Sequence, residues 1–271
     1  RRITKDHPEH RFFLIFDRHW DPSFVFSDNV VPIKTYLPSR HPLLWYLRFH
    51  CEIPKLLKKH QIDLFVSPDG WNTSTNIPSL VVMHDLNFMH FPENMPLLTR
   101  LYYRHFFPIY AKKACRLATV SHFSQKDIAS TFGISPDNID VVYNGASDIF
   151  APLGAGQISE IRNRYASGNP YFVFVGALNP RKNLQRLIEA FDAFSTHSSS
   201  DIRLVISGMP MFSNGTLGRV LGKARHRDRI VLTGRLQREE LARLVGAAHA
   251  LVLPSTYEGF GIPIVEAMKC H

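Results

Sequence analysis

At 271 residues the chain is longer than one ordinary small domain and suits two domains of common size. Its composition, 45% hydrophobic and 20% charged, is that of a globular protein with a full core. No apolar run approaches the roughly twenty residues a bilayer span needs, so a membrane-spanning chain is excluded. The formal charge of +9 points to anionic company: nucleic acid, phosphorylated small molecules or an acidic membrane surface. A scattered solubilising surface is the plain alternative, and charge alone favours neither. Cys51, Cys115 and Cys270 show no CxxC or metal spacing and read as reduced thiols of an intracellular protein.

The opening "RRITKDHPEH" is polar and reads as the end of a helix rather than a natural start. Short β-branched or aromatic runs then recur: "FFLIF" at 12–16, "DLFVS" at 63–67, "LVVMH" at 80–84, "LATVS" at 117–121 and "IDVVY" at 139–143. A second set follows at 171–176, 203–208, 229–234 and 250–255. Most are apolar throughout, as parallel strands buried on both faces are. Between them lie helical patterns. "HPLLWYLRFHCEIPKLLKKH" is one, with a kink or break predicted at Pro54. "PLLTRLYYRHFFPIYAKKA" is another, and "SQKDIASTFG" a third, with Ser124 as N-cap and Gly133 as its end. Leu184, Leu187, Ile188, Phe191 and Phe194 make a helical stripe, and "QREELARLVGAAH" a further helix. This alternation predicts an α/β fold with parallel sheets. It is interrupted at 144–157, a stretch rich in Gly, Ala and Pro. That divides the chain into predicted domains 1–150 and 151–271.

Ligands of open α/β sheets sit beyond the carboxyl ends of the strands, so the residues after each strand carry the functional reading. Gly176 ends one strand, and Arg181, Lys182 and Asn183 then open a helix. Two cations beside a helix N-terminus suit a phosphate, although a solvated basic turn reads equally well. In "VLPSTYEGFGIPIVEAM", Gly259 and Gly261 permit close approach of backbone to ligand, and Pro263 suits the first helical position. Glu258 at the strand end and Glu266 in the first helical turn are placed to accept hydrogen bonds from sugar hydroxyls. The plainer reading makes Glu266 a complement to the helix dipole and Glu258 a loop acid. His84 and Asp85 follow a strand of the first domain. His84 can donate to a substrate hydroxyl or stabilise developing charge, and no third ligand supports a metal there. There is no G-x-S-x-G nucleophile, no phosphate-loop motif and no third glycine of a dinucleotide fingerprint. The basic stretches lack the aromatics of a nucleic-acid interface.

"VSHFSQKDI", "IDVVYNG", "VGALNPRKNL", "VLTGRLQREEL" and "PSTYEGFGIPIVEAM", in this order, resemble the retaining glycosyltransferases of family 4, within glycosyl transferases group 1. The last contains that family's E-x7-E motif, and "HDLNFMHFPE" is most similar to bacterial polysaccharide enzymes, often mannosyltransferases. The resemblance implies the GT-B fold, two Rossmann-like domains with parallel sheets facing a central cleft. It implies that Lys182 and Arg181 hold the donor diphosphate beside Gly176, and that Glu266 binds the ribose. Glu258 with Gly259, Phe260 and Gly261 would meet sugar and diphosphate, Gly234 and Arg235 would hold the base, and His84 would stand at the reacting centre. Glu258, Lys182 and His84 are thus the implied catalytic set.

The implied donor is a nucleotide sugar such as GDP- or UDP-hexose, used without metal or other cofactor. The implied acceptor is a glycan or a lipid-linked glycan. The implied location is cytoplasmic, with peripheral contact at the inner face of the cytoplasmic membrane, and no nucleic-acid partner is expected. Ala177 stands where the family often carries Arg. By the same resemblance the first strand and glycine-rich loop, and the C-terminal part of the second domain, are expected to be missing. Two other readings stay open: a nucleotide-sugar epimerase or hydrolase of the same fold, and a non-catalytic nucleotide-binding module.

Overall fold

The structure, a computed structural model, describes residues 1–209 and 216–270, so His271 of the closing motif lies outside the described residues. The chain folds into two compact units. The first comprises Arg1–Met83, Met95–Ala118 and Ile128–Asp140; the second comprises His84–Asn94, Thr119–Asp127 and Val141–His271.

In chain order the elements up to residue 141 are α1 (Arg2–Asp6), β1 (Phe12–Phe16), β2 (Val30–Lys34), α2 (Pro42–Leu47), α3 (Ile53–Lys59), β3 (Phe65–Ser67), β4 (Ser79–Met83), α4 (Asn87–His90), α5 (Leu97–Lys113), β5 (Arg116–Thr119), α6 (His122–Phe132) and β6 (Ile139–Val141). β1 and β2 pair in parallel, and the other sheet has the order β3-β4-β5-β6. β2 is a strand beyond those expected from the sequence, and its Pro32 lacks a ladder donor. Here it pairs on one side only, with β1, where a missing N–H is tolerated.

Pro54 does not end its helix. A π-helical turn, Arg48–Glu52, joins α2 to α3 and leaves the proline near the start of α3, where no N–H is required. The first unit packs on aromatic rings: Trp71 stacks on Phe49 at 4.6 Å and meets Trp45 and Phe107 edge-on. The buried Tyr110 hydroxyl lies 2.8 Å from Tyr102 Oη and 3.0 Å from His50 Nε2, so the ring cluster keeps its polar atoms satisfied. The N-cap of α6 is Ser121, whose Oγ accepts from the Ser124 amide at 3.0 Å. Ser124 lies inside the helix, its hydroxyl committed elsewhere. Gly133 ends α6 at φ +64°, as expected.

The remaining elements are α7 (Ala155–Ala166), β7 (Tyr171–Val175), α8 (Leu184–His197), β8 (Arg203–Ser207), α9 (Thr216–Lys223), β9 (Ile230–Gly234), α10 (Arg238–Gly246), β10 (Ala250–Leu251) and α11 (Ile262–Met268). The sheet order is β10-β7-β8-β9, and every pair is parallel. β7 is a central strand, and its alternate side chains feed two cores. Tyr171, Val173 and Val175 pack with Phe150, Ile161 and Leu244, whereas Phe174 packs with Leu187, Ile188, Phe191 and Leu204. Burial on both faces explains its unbroken apolar sequence, at about 1.5–3 kcal/mol per large side chain. Phe194, the last residue of the apolar helical stripe, stays 40% exposed at the far end of α8. α7 begins inside the stretch read as loop, because its apolar stripe is thin and two glycines precede Gln157.

Candidate functional site

In the second unit, β8 and β9 lie on one side of β7 and β10 lies on the other. The connections from β7 and β10 therefore diverge, which opens a crevice beyond the carboxyl ends of these two strands. The chain leaves β7 through Gly176 and reaches a 3₁₀ turn, Pro180–Lys182, before α8. It leaves β10 early, because Pro254 has no N–H to extend the ladder. The Pro254 carbonyl accepts from Asn183 Nδ2 at 3.2 Å, and the Thr256 amide donates to Arg181 O at 2.9 Å. Glu258 consequently sits in the loop leading to α11, not at the strand end.

That detour brings together residues far apart in sequence. Lys182 Nζ lies 2.5 Å from Glu258 Oε1, and Arg181 Nη1 lies 3.0 Å from Oε2. Arg181 Nη1 also donates to the Tyr257 carbonyl. Lys182 is only 8% exposed. A Cβ added at Gly176 would sit 3.5 Å from Lys182 Cε, so the lysine lies along the end of β7. Burial pushes the Glu258 carboxyl up, but the Lys182 hydrogen bond and both cations outweigh it and hold the group below the usual carboxylate range. Two donors leave further lone pairs on a carboxylate, so Glu258 can still accept from a ligand hydroxyl.

The ends of β7, β8 and β9 close on one another. The Gly176 amide donates to Ser207 O, and the Gly208 amide to Gly234 O, each at 3.0 Å. A side chain at Gly208 would place its Cβ 1.8 Å from the Gly176 carbonyl oxygen, so only glycine fits between these strand ends. Arg235, next to Gly234, is exposed. Phe260 faces Tyr143, with ring centroids 6.1 Å apart.

Gly261, at φ +87°, caps α11. Pro263 is its second residue, and Glu266 falls in the second turn rather than the first. A dipole role for Glu266 is weakened by that shift, since the effect fades beyond the first turn. The side chain is half-buried. Burial raises its carboxyl above the ordinary value, against a smaller opposing pull from Arg238. A folded-state value raised in this way contributes stability that is complete below the unfolded value, near 4.5, and is lost as pH rises through the folded value. Glu266→Gln is therefore expected to raise the melting temperature at neutral pH and to lose that advantage near pH 4, while donor affinity falls. Thermal unfolding against pH checks this; parallel profiles for both proteins would refute it.

His84 and Asp85 lie in the second unit with the glycine turn. The His84 ring is exposed. A Cβ added at Gly259 would lie 2.5 Å from the His84 carbonyl oxygen and 2.9 Å from Asp85 Cβ. Asp85 Oδ1 accepts from the Asn87 amide and Nδ2, at 3.0 and 2.6 Å, and so shapes the turn into α4. Asp127 and His90, which the residues alone did not single out, and Ser124, read only as a helix cap, converge on the same turn; the S-x-x-S-x-x-D spacing of Ser121, Ser124 and Asp127 was the available signal. Among the described residues, the grouping with metal-like ligand spacing is His7, Glu9 and His10, all exposed and in the first unit.

The family model for glycosyl transferases group 1 matches residues 157–271 and that for glycosyltransferase family 4 matches residues 8–148. O-antigen chain mannosyltransferase B of Escherichia coli is 27% identical over 71% of this chain and 51% of its own length. O-antigen chain mannosyltransferase RfbU of Salmonella typhimurium is 26% identical over 90% of this chain and 64% of its own length. The chain thus spans about half to two thirds of these curated relatives.

Among solved structures, WaaG, a glycosyltransferase involved in lipopolysaccharide biosynthesis, superposes with TM-score 0.72 at 17% identity, covering 99% of this chain and 73% of that one. HepE from Anabaena, in complex with UDP-glucose, gives 0.72 at 19% identity, covering 99% and 72%. These likenesses show the fold, the GT-B class of α/β architecture with parallel sheets. With the family 4 model matched from residue 8 to residue 148, the chain belongs to glycosyltransferase family 4.

Proposed function

We propose that the intact protein transfers a hexose, mannose by the chemistry of its named relatives, from a nucleotide-sugar donor to a glycan or lipid-linked acceptor in polysaccharide biosynthesis. The observation that carries this reading is the Lys182–Glu258–Arg181 cluster at the switch point between β7 and β10. HepE, of like fold, was solved with UDP-glucose, which supports a GDP- or UDP-hexose donor. In this reading residues 1–150 supply the acceptor side and residues 151–271 the donor side, although His84–Asn94, Thr119–Asp127 and 141–150 pack with the second unit.

The chemistry asks for charge stabilisation. The bond from the anomeric carbon to the diphosphate breaks, an acceptor oxygen bonds to that carbon, and the acceptor proton passes to a leaving phosphate oxygen with retention. Lys182 and Arg181 neutralise the departing diphosphate more than the ground state, a task otherwise given to a metal. Glu258 keeps both cations aimed at the crevice until the donor arrives. Glu266 accepts from the ribose, Gly259, Phe260 and Gly261 line the donor, Gly234 and Arg235 flank the base, and His84 meets the sugar.

The test is a screen of GDP- and UDP-hexoses with the intact protein in chelating buffer, with and without glycan acceptors. Acceptor-dependent release of nucleoside diphosphate is expected. Conversion without acceptor, or binding without turnover, would overturn the reading.

We further infer peripheral attachment to an anionic lipid surface at the cytoplasmic face. No helix among the described residues is long and apolar enough to cross a membrane. Helix α5, however, exposes Leu97, Leu98, Leu101 and Ile109, with Arg104, Lys112 and Lys113 also exposed. Leucines that enter the headgroup region beside cations suit anionic lipid. The intact protein should float with anionic vesicles and Leu98→Asp/Leu101→Asp should not; equal flotation of both would refute the placement.

A further inference from the structure

Helix α6 begins with a set of polar side chains that donor chemistry does not call for. Ser121, Ser124 and Asp127 are spaced by three residues and so share one face of the helix. Ser121 Oγ donates to the Gly259 carbonyl at 2.5 Å while it caps the helix through the Ser124 amide. Ser124 is fully buried, and its Oγ is shared between the carbonyls of His84 at 3.0 Å and Gly259 at 3.2 Å. Asp127 Oδ2 accepts from the Tyr257 hydroxyl at 2.6 Å, and His90 Nε2 lies 2.8 Å from Asp127 Oδ1. The same Tyr257 oxygen accepts from the Leu86 amide at 3.0 Å. The Tyr257 ring is packed by His90, Phe91 and Phe123 at centroid distances of 5.3–5.8 Å. Burial, then the bond to Asp127, pushes the Tyr257 phenol up, so it stays a neutral donor.

All these groups belong to the second unit. They join two pieces of chain, the His84–His90 segment and the Tyr257–Gly259 turn, which meet where Gly259 has no Cβ. Glu258 lies between the residues so held.

We propose that Ser121, Ser124 and Asp127 are positioning residues that latch the Tyr257–Gly259 turn to the His84–His90 segment and thereby set the distance between His84 and Glu258. The proposal rests on reading this site as a donor site. The latch acts through hydrogen bonds to backbone carbonyls and to Tyr257, so it touches no substrate. Its worth is preorganisation: a misplacement of about 1 Å at a reacting group costs on the order of 100-fold in rate.

The test uses Ser124→Ala, Asp127→Asn and Tyr257→Phe in the intact protein, with two readouts. Hydrogen exchange should quicken at the amides of residues 86–91 in all three variants, whether or not a donor has been found. For the donor identified above, kcat should fall by about 10- to 100-fold. The Kd for nucleoside diphosphate should stay within about twofold, the scatter of independent sites. Ser121→Thr, which keeps the hydroxyl, should retain turnover where Ser121→Ala loses it. Unchanged exchange overturns the latch. Equal losses in kcat and nucleotide affinity reduce it to a folding role and also overturn it. A wild-type protein that turns over no donor refutes the function and leaves the exchange result to judge the latch.

Discussion

Lys182→Ala is expected to lower kcat/KM by about 100- to 1000-fold, the scale seen when one preorganised charge-stabilising group is removed. The lysine is nearly buried, its ammonium 2.5 Å from Glu258, and it lies along the end of β7, the strand that borders β10 at the switch point. Its loss removes a cation from the departing diphosphate and leaves Glu258 with Arg181 as its remaining cationic partner. Because burial opposes ionisation of Glu258, the alanine variant should also melt earlier. The double variant Lys182→Met/Glu258→Gln separates the two effects. It restores charge balance and packing, so stability should recover while turnover does not. Recovery of both, or a single variant with normal kinetics, would remove Lys182 from the diphosphate site.

Gly259→Ala is expected to be nearly as damaging for a different reason. The added Cβ would lie 2.5 Å from the His84 carbonyl oxygen and 2.9 Å from Asp85 Cβ, and neither belongs to a flexible side-chain end. The turn and the His84 segment must separate, at about 1–3 kcal/mol for overpacking and about 100-fold in turnover for the misplaced groups. Gly156→Ala is the control. It lies exposed in α7 with nothing within 4 Å of the added atom, and should gain about 0.5–1 kcal/mol from helix propensity. Melting temperature and kcat measured on both variants decide the matter. A Gly259→Ala protein as stable and active as the control would show that the close approach is not needed.

Glu258 carries a corresponding pH dependence. Its folded value is held below the unfolded one, so its contribution to stability is complete above the ordinary carboxylate value of 4.5 and is lost as pH falls below it. Glu266 runs the other way. The two acids of one motif are thus shifted in opposite directions, because one has cations within 3.0 Å and the other has mainly burial.

Much of this was legible in the residues. Unbroken apolar runs such as 171–175 declare strands buried on both faces, because few other environments take five large apolar side chains in succession. The glycines at strand ends and the two acids of the E-x7-E stretch marked the ligand side. What stayed illegible depended on partners distant in sequence. Ser124 was read as the helix cap; the helix instead begins three residues earlier, with Ser121 as cap and the Ser124 hydroxyl donating to the carbonyls of His84 and Gly259. Pro54 looks like a helix breaker until a π turn takes up the missing donor.

The α/β class and most strand runs could be read from the residues alone, because hydrophobic period is a local property, whereas Glu258 was read at a strand end and Glu266 in a first helical turn that neither occupies. That Arg181 and Lys182 face Glu258, that Glu258 stands in the loop beyond Pro254, and that α6 reaches the glycine turn all follow from long-range packing. Those outcomes depend on which strand lies beside β7, and strand order is set by burial across the whole sheet, which no local window of residues contains.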